Sequence, residues 1–109
     1  MSSDSDAVWK ALANPVRREI LDLLQAEPRT TGDLAEHFEG LSRYAIMQHL
    51  GVLEEAGLLL VRREGRQRFN YLNPVPIERI YQRWMHPYTA TVAREMLALE
   101  KHLETKSKE

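Results

Sequence analysis

The chain contains no cysteine. That absence excludes disulfides, thiolate metal ligands and cysteine nucleophiles together. Long hydrophobic runs are also missing. The longest aliphatic stretch is Leu58-Leu59-Leu60-Val61, far below the roughly 20 residues a membrane span needs, so no membrane partner is expected. A strong charge bias is lacking as well. Fifteen basic residues stand against 16 acidic ones, a net charge of −1, which gives no global argument for a nucleic-acid partner. There is no internal repeat and no low-complexity segment. The opening MSSDSD is polar and acidic, without the apolar stretch of a signal peptide, so a cytoplasmic location is expected. What remains is ordinary globular composition, 43% hydrophobic and 28% charged over 109 residues. This predicts a single domain, 1–109, with one modest core.

The charge is unevenly spread. Residues 1–41 hold four basic and eight acidic groups, whereas residues 42–72 hold five basic and three acidic. The central arginines are Arg43, Arg62, Arg63, Arg66 and Arg68. Four of these five lie in one seven-residue stretch. A local positive patch on a slightly acidic protein is a footprint for phosphate.

Local patterns predict the elements. Residues 1–5 are small and polar and are expected to lack structure. Asp6 can cap a short helix, about 6–13, carrying Val8, Trp9 and Leu12. Asn14-Pro15 is a strong helix start, followed by Val16, Ile20, Leu21, Leu23 and Leu24 at helical spacing. Glu27-Pro28 ends that helix. Thr30-x-x-Asp33 resembles a capping box for a third helix with Leu34, Ala35 and Phe38, and Gly40 breaks it. Ser42 caps a fourth helix, about 42–56, with the stripe Ile46, Leu50, Leu53 and with Gly57 just past its end. Two short helices joined by a tight glycine-containing turn form a helix-turn-helix. A β-hairpin follows over about 58–72, with Glu64-Gly65 at its tip, closed by Asn73-Pro74-Val75-Pro76. Helices return over about 77–104. The first carries Ile77, Ile80, Tyr81 and Trp84. After His86-Pro87 comes a stripe of Tyr88, Val92, Met96, Leu99 and Leu103, and residues 104–109 are expected to fray. The fold class is therefore mainly α with a β-hairpin wing (α+β), in the order α-α-α-α-β-β-α-α.

Each part alone is weak, but the conjunction is specific. In the stretches ALANPVRREILDLL, TTGDLAEHFEGLSRYAIMQHLGVLEEAGLL and VRREGRQRFNYLNP, the chain resembles the ArsR (ArsR/SmtB) family of bacterial transcriptional repressors. Its tail, PIERIYQRWMHPY, looks like a branch without the known metal sites. The resemblance implies a winged-helix homodimer on a near-palindromic double-stranded DNA operator, repression of transcription, and release by an effector. It also implies that the first and last helices make the dimer, here Val8, Trp9, Leu12, Tyr88, Val92, Met96, Leu99 and Leu103.

Advancing about 100° per residue along the fourth helix, Ile46, His49, Leu50 and Leu53 share the core side. Tyr44, Gln48, Gly51 and Glu55 face away, with Met47 on the flank. Recognition helices offer their first turns to the major groove, so Tyr44, Met47 and Gln48 are the expected base readers. Glutamine suits adenine, and methionine can pack on a thymine methyl. Ser42 and Arg43 are better placed for phosphates. The alternative for Tyr44 and Met47 is partial burial against the neighbouring helix. The helix departs from the family at Tyr44, where proline is common, and at Gly51, where a basic residue is common. Arg62, Arg63, Arg66 and Arg68 of the wing suit the minor groove or backbone. The alternative there is a solvated hairpin edge, but such an edge mixes signs and this one holds four arginines against one glutamate.

No metal or other cofactor is expected. The family's Cys-X-Cys positions fall here on Thr30 and Gly32. The downstream histidine motif of other members is absent, since Thr105 stands three residues after His102. His49 reads as a hydrogen-bonded core histidine, and His37 with Glu36 or Glu39 as a surface pair. Neither a nucleophile elbow nor a phosphate-binding glycine loop is present, so no catalysis is expected. If release from DNA is regulated, an organic ligand or partner protein is the expected effector. Two rival readings are a winged-helix protein–protein module, which would not need the wing arginines, and a small-molecule sensor with a pocket lined by Trp9, Trp84, Tyr81 and Tyr88.

Overall fold

Among the described residues, six helices and three strands follow one another. They are α1 (Ser3–Leu12), α2 (Pro15–Ala26), β1 (Arg29–Thr30), α3 (Thr31–His37), α4 (Arg43–Glu55), β2 (Leu59–Glu64), β3 (Gln67–Leu72), α5 (Val75–Trp84) and α6 (Pro87–Ser107). The structure, a computed structural model, describes residues 3–85 and 87–107. The expected winged helix-turn-helix order is present, with one addition. The two-residue strand β1 joins the hairpin to make an antiparallel sheet in the order β1-β3-β2. Two residues are too few to show a period, so β1 left no pattern in the sequence.

The helix ends follow their local chemistry. Asn14 Oδ1 accepts from the Val16 and Arg17 amides at 2.8 and 3.2 Å, and Pro15 fills the first helical position of α2. Thr30 Oγ1 accepts from Asp33 N at 3.1 Å, and Ser42 Oγ from Ala45 N at 3.0 Å. Each such cap satisfies an amide that the helix itself leaves open. At the other end of α4, Gly57 takes φ +79°. Its amide donates to Glu54 O and the Leu58 amide to Leu53 O, the paired bonds of a Schellman motif. At the N-terminal end α1 departs from expectation. It begins at Ser3 rather than near residue 6, because acidic residues near a helix start complement its dipole and extend it.

Two arginines close α1 from outside. Arg17 donates from Nε to Ala11 O at 2.8 Å and from Nη2 to Lys10 O at 3.0 Å, and Arg18 Nη1 donates to Leu12 O at 2.7 Å. Three of the last four carbonyls of α1 are thus met by cations, which the negative end of the helix favours.

The chain divides after Ile77 into two compact units. In the first, Ile20, Leu34, Ile46, Leu50, Leu53 and Leu58 are fully buried. Asn70 is fully buried beside them, its Nδ2 donating to Arg29 O and Thr31 Oγ1, both at 3.2 Å. That amide ties β3 to β1 and to the start of α3. The second unit holds most of α5 and all of α6. Among its described residues none is buried. The last helix continues to Ser107 instead of ending near residue 104. No helix among the described residues is long and apolar enough to cross a membrane.

Candidate nucleic-acid interface

The two sides of α4 are sharply different. Ile46, Leu50 and Leu53 have no exposed surface, while Tyr44 is 72% exposed and Met47 37%. Gln48 and Arg43 are exposed too. The helix therefore presents Tyr44, Met47 and Gln48 outward from its first turns, on a backbone fixed by the Ser42 cap and an apolar inner face.

His49 sits between these sides. Arg17 Nη1 donates to its Nδ1 at 3.2 Å, which places the ring proton of the neutral imidazole on Nε2. Burial, and then the Arg17 charge, lower its pKa from the ordinary value of 6.5. His37 pairs across helices, with Glu19 Oε2 accepting from its Nε2 at 2.7 Å, rather than with its sequence neighbours Glu36 or Glu39. Among the described residues no three His, Asp or Glu side chains gather as a metal site would require.

In the wing, Glu64 pairs with Gln67, so the turn is Gly65-Arg66 and Arg66 itself occupies the tip. This corrects the expected Glu64-Gly65 tip by one residue. Gly65 has φ +63°, and glycine at the first central position is the signature of a type II′ hairpin turn. Strand alternation then sorts the arginines. Arg63 and Arg68 are directly opposite each other, on the face shared with Leu59 and Asn70, whereas Arg62 pairs with Phe69 on the other face. Arg62 lies 3.7 Å from Glu64 with both side chains well exposed. Arg68 is different. Its Nη2 donates to Glu54 Oε1 of α4 at 2.9 Å, and its side chain is 14% exposed.

A groove of about 400 Å³ joins these parts. Thr30, Thr31 and Gly32 at the start of α3 form one wall, Arg43 and Met47 of α4 the floor, and Arg63, Arg66, Gln67 and Arg68 the wing side. The recognition helix and wing, argued separately from sequence, here share one concave cationic surface. The Thr30–Gly32 wall was not foreseen. Its signal was the cap at Thr30, which places the start of α3 against the wing through β1.

The residues expected at a dimer interface are placed unevenly. Trp9 is 47% exposed and Leu12 half-buried, but Val8 is only 3% exposed and packs into the core of its own chain. Val92 is half-buried, and Met96, Leu99 and Leu103 are more than half exposed. The Tyr88 side chain and His86 fall outside the described residues.

A helix-turn-helix with a polar outward recognition face and an arginine-bearing wing defines a winged-helix DNA-binding protein. The relatives agree. The model of a family described as "Helix-turn-helix domain" matches residues 12–62. The transcriptional repressor SdpR of Bacillus subtilis (strain 168) is 39% identical over 71 residues, covering 65% of this chain and 78% of that protein. The crystal structure of an ArsR family transcriptional regulator superposes with a TM-score of 0.67 and 26% identity, covering 89% of this chain and 91% of that one. The homodimeric winged helix-turn-helix DNA-binding domain from Mycobacterium bovis, solved by NMR, gives a TM-score of 0.63 at 27% identity over 94% of this chain and 83% of that one. The chain belongs to the ArsR family of helix-turn-helix transcriptional regulators. It is a sequence-specific DNA-binding regulator and not an enzyme.

Proposed function

We propose that the protein is a homodimeric repressor that holds a near-palindromic operator, reading bases with α4 and gripping the backbone with the wing. The observation that carries this is the shared groove, where Arg43, Arg63 and Arg66 converge beside the outward residues of α4. Tyr44, Met47 and Gln48 meet base edges in the major groove. Arg43, Arg62, Arg63 and Arg66 meet phosphates or the minor groove. The Ser42 hydroxyl accepts from Ala45 N and keeps its own proton to offer a phosphate. Trp9, Leu12 and the α6 stripe from Tyr88 to Leu103 pair with their counterparts in a second copy, which sets the two recognition helices one DNA turn apart, roughly 34 Å. The homodimeric domain from Mycobacterium bovis supports this arrangement. Such a regulator works in the cytoplasm, where it meets chromosomal DNA. With no thiolate in the chain, its release is assigned to an organic ligand or a partner protein.

Fluorescence anisotropy with the DNA upstream of the chain's own coding region, and with random DNA, across a salt series tests the reading. Gln48→Ala costs about 1–3 kcal/mol on the operator and little on random DNA. Arg66→Ala weakens both alike and lowers the salt slope by about one. Equal binding of both DNAs by wild type, or an unchanged Arg66→Ala variant, overturns it.

A further inference from the structure

The four wing arginines do not serve one purpose. Arg63 and Arg68 are cross-strand partners on the same face of the hairpin. Like charges directly opposite each other destabilise a sheet, so one of the two needs a counter-charge. Glu54 supplies it to Arg68 at 2.9 Å. Arg68 Nε is sealed from solvent without a partner, and Nη2 is taken by Glu54. The edge of the guanidinium that would clasp a phosphate in two-pronged geometry is thus turned inward. Glu54 gains as well. It lies in the last turn of α4, where the helix dipole disfavours a carboxylate, and a guanidinium beside it offsets that and its repulsion of nearby phosphates.

The pair spans two elements, the end of α4 and the strand β3. At the base of the hairpin they are also tied by Asn73, whose Nδ2 donates to Gly57 O and whose amide donates to Leu58 O, both at 2.8 Å, whereas Arg68 and Glu54 join them further along the wing. We propose that Arg68 and Glu54 are positioning residues for DNA binding. Their ion pair fixes the wing against the recognition helix so that Arg63 and Arg66 face the same DNA as Gln48, and Arg68 itself touches no phosphate. The proposal rests on the DNA-binding reading above and replaces the expectation that Arg68 is a DNA contact.

A charge exchange decides between the two roles, because it keeps the net charge constant. Arg68→Gln and Glu54→Arg each weaken operator binding, by roughly two- to fivefold given the modest strength of such pairs. The exchange Glu54→Arg with Arg68→Glu restores wild-type affinity and salt slope. If Arg68 were a phosphate contact, the exchange would set a carboxylate against DNA. Binding would stay weak, and the slope would fall by about one, as in Arg66→Gln. That result overturns the proposal, as does wild-type binding by both single variants. Arginine modification by a dicarbonyl reagent, read by mass spectrometry on the wild-type protein, gives an answer that needs no variant to fold. Arg66 loses reactivity when DNA is added. Arg68 reacts slowly with or without it. DNA protection of Arg68 equal to that of Arg66 overturns the proposal. Failure of Arg66→Gln to change any binding would instead count against the DNA-binding reading itself.

Discussion

Residues up to Ile77 and residues from Glu78 onward are both rich in large apolar side chains, yet only the first set closes a buried core. In the first unit four helices and a sheet close around Ile20, Leu34, Ile46, Leu50, Leu53 and Leu58, all without exposed surface. In the second, Tyr81, Trp84, Met96, Leu97, Leu99 and Leu103 are each 45% exposed or more. The reason is architectural. A core needs elements on opposing sides, and a segment with only two helices cannot enclose a stripe alone. An uncovered stripe of this length marks an interaction surface. The first unit therefore closes its own core, and the second leaves a stripe that the second copy proposed above would cover.

The strongest way to break that contrast is to charge the second unit. Leu99→Asp with Leu103→Asp places two carboxylates in the proposed seam. Sedimentation should show the proposed dimer replaced by a 12.7 kDa species, while circular dichroism retains the helices of the first unit. Operator affinity should fall by roughly 100-fold or more, because the two half-sites are then bound without linkage. A double variant that remains dimeric would move the interface elsewhere.

The two units were not equally legible in the sequence. The helix starts at Asn14, Thr30 and Ser42 and the stop at Gly57 were readable, because each is set by chemistry within four residues of its own position. The stripes of α4 and α6 were readable from period alone. Contacts between distant elements were not. The buried Asn70 gave no hint that its amide would bridge β3, β1 and α3. Val8 resembled Trp9 and Leu12 in spacing, but only packing decides which of them turns inward. The arginine count raised the wing to a candidate DNA site as a class, yet could not separate Arg68 from Arg66. Strand alternation placed Arg68 on the face of Asn70, and Glu54, 14 residues away in sequence, determined where its charge went.

A smaller effect sharpens the account of the first unit by mending its one visible flaw. Gly51 lies in the middle of α4, where glycine costs a helix about 1 kcal/mol relative to alanine. A Cβ built there meets nothing within 4 Å. Gly51→Ala should therefore stabilise the protein by about 1 kcal/mol, read by chemical denaturation. Gly51→Lys should stabilise nearly as much and also raise affinity for operator and random DNA alike, since it adds a cation on the outward side of the helix. A destabilised Gly51→Ala would mean that this side of α4 is already covered in the dimer.

The smallest expected effect probes how α4 is held inside the first unit. Arg17 binds the last carbonyls of α1 with Nε and Nη2 and His49 of α4 with Nη1. One guanidinium thus links three helices, and its third bond requires a neutral imidazole as acceptor. Protonating His49 removes that acceptor and sets a second cation beside Arg17. The pKa of His49 is lowered in the folded protein, by burial first and by Arg17 second, from 6.5. Between the two values the unfolded chain holds more protons than the folded one, so stability rises with pH in that window. The contribution is complete above pH 6.5 and is lost as pH falls through 6.5 toward the folded value. His49→Gln offers Arg17 an amide oxygen that does not titrate. Its thermal midpoint should fall less than that of wild type over the same acid interval, because every other titrating group is common to both. Equal losses in the two proteins would show that the Arg17–His49 bond does not hold α4.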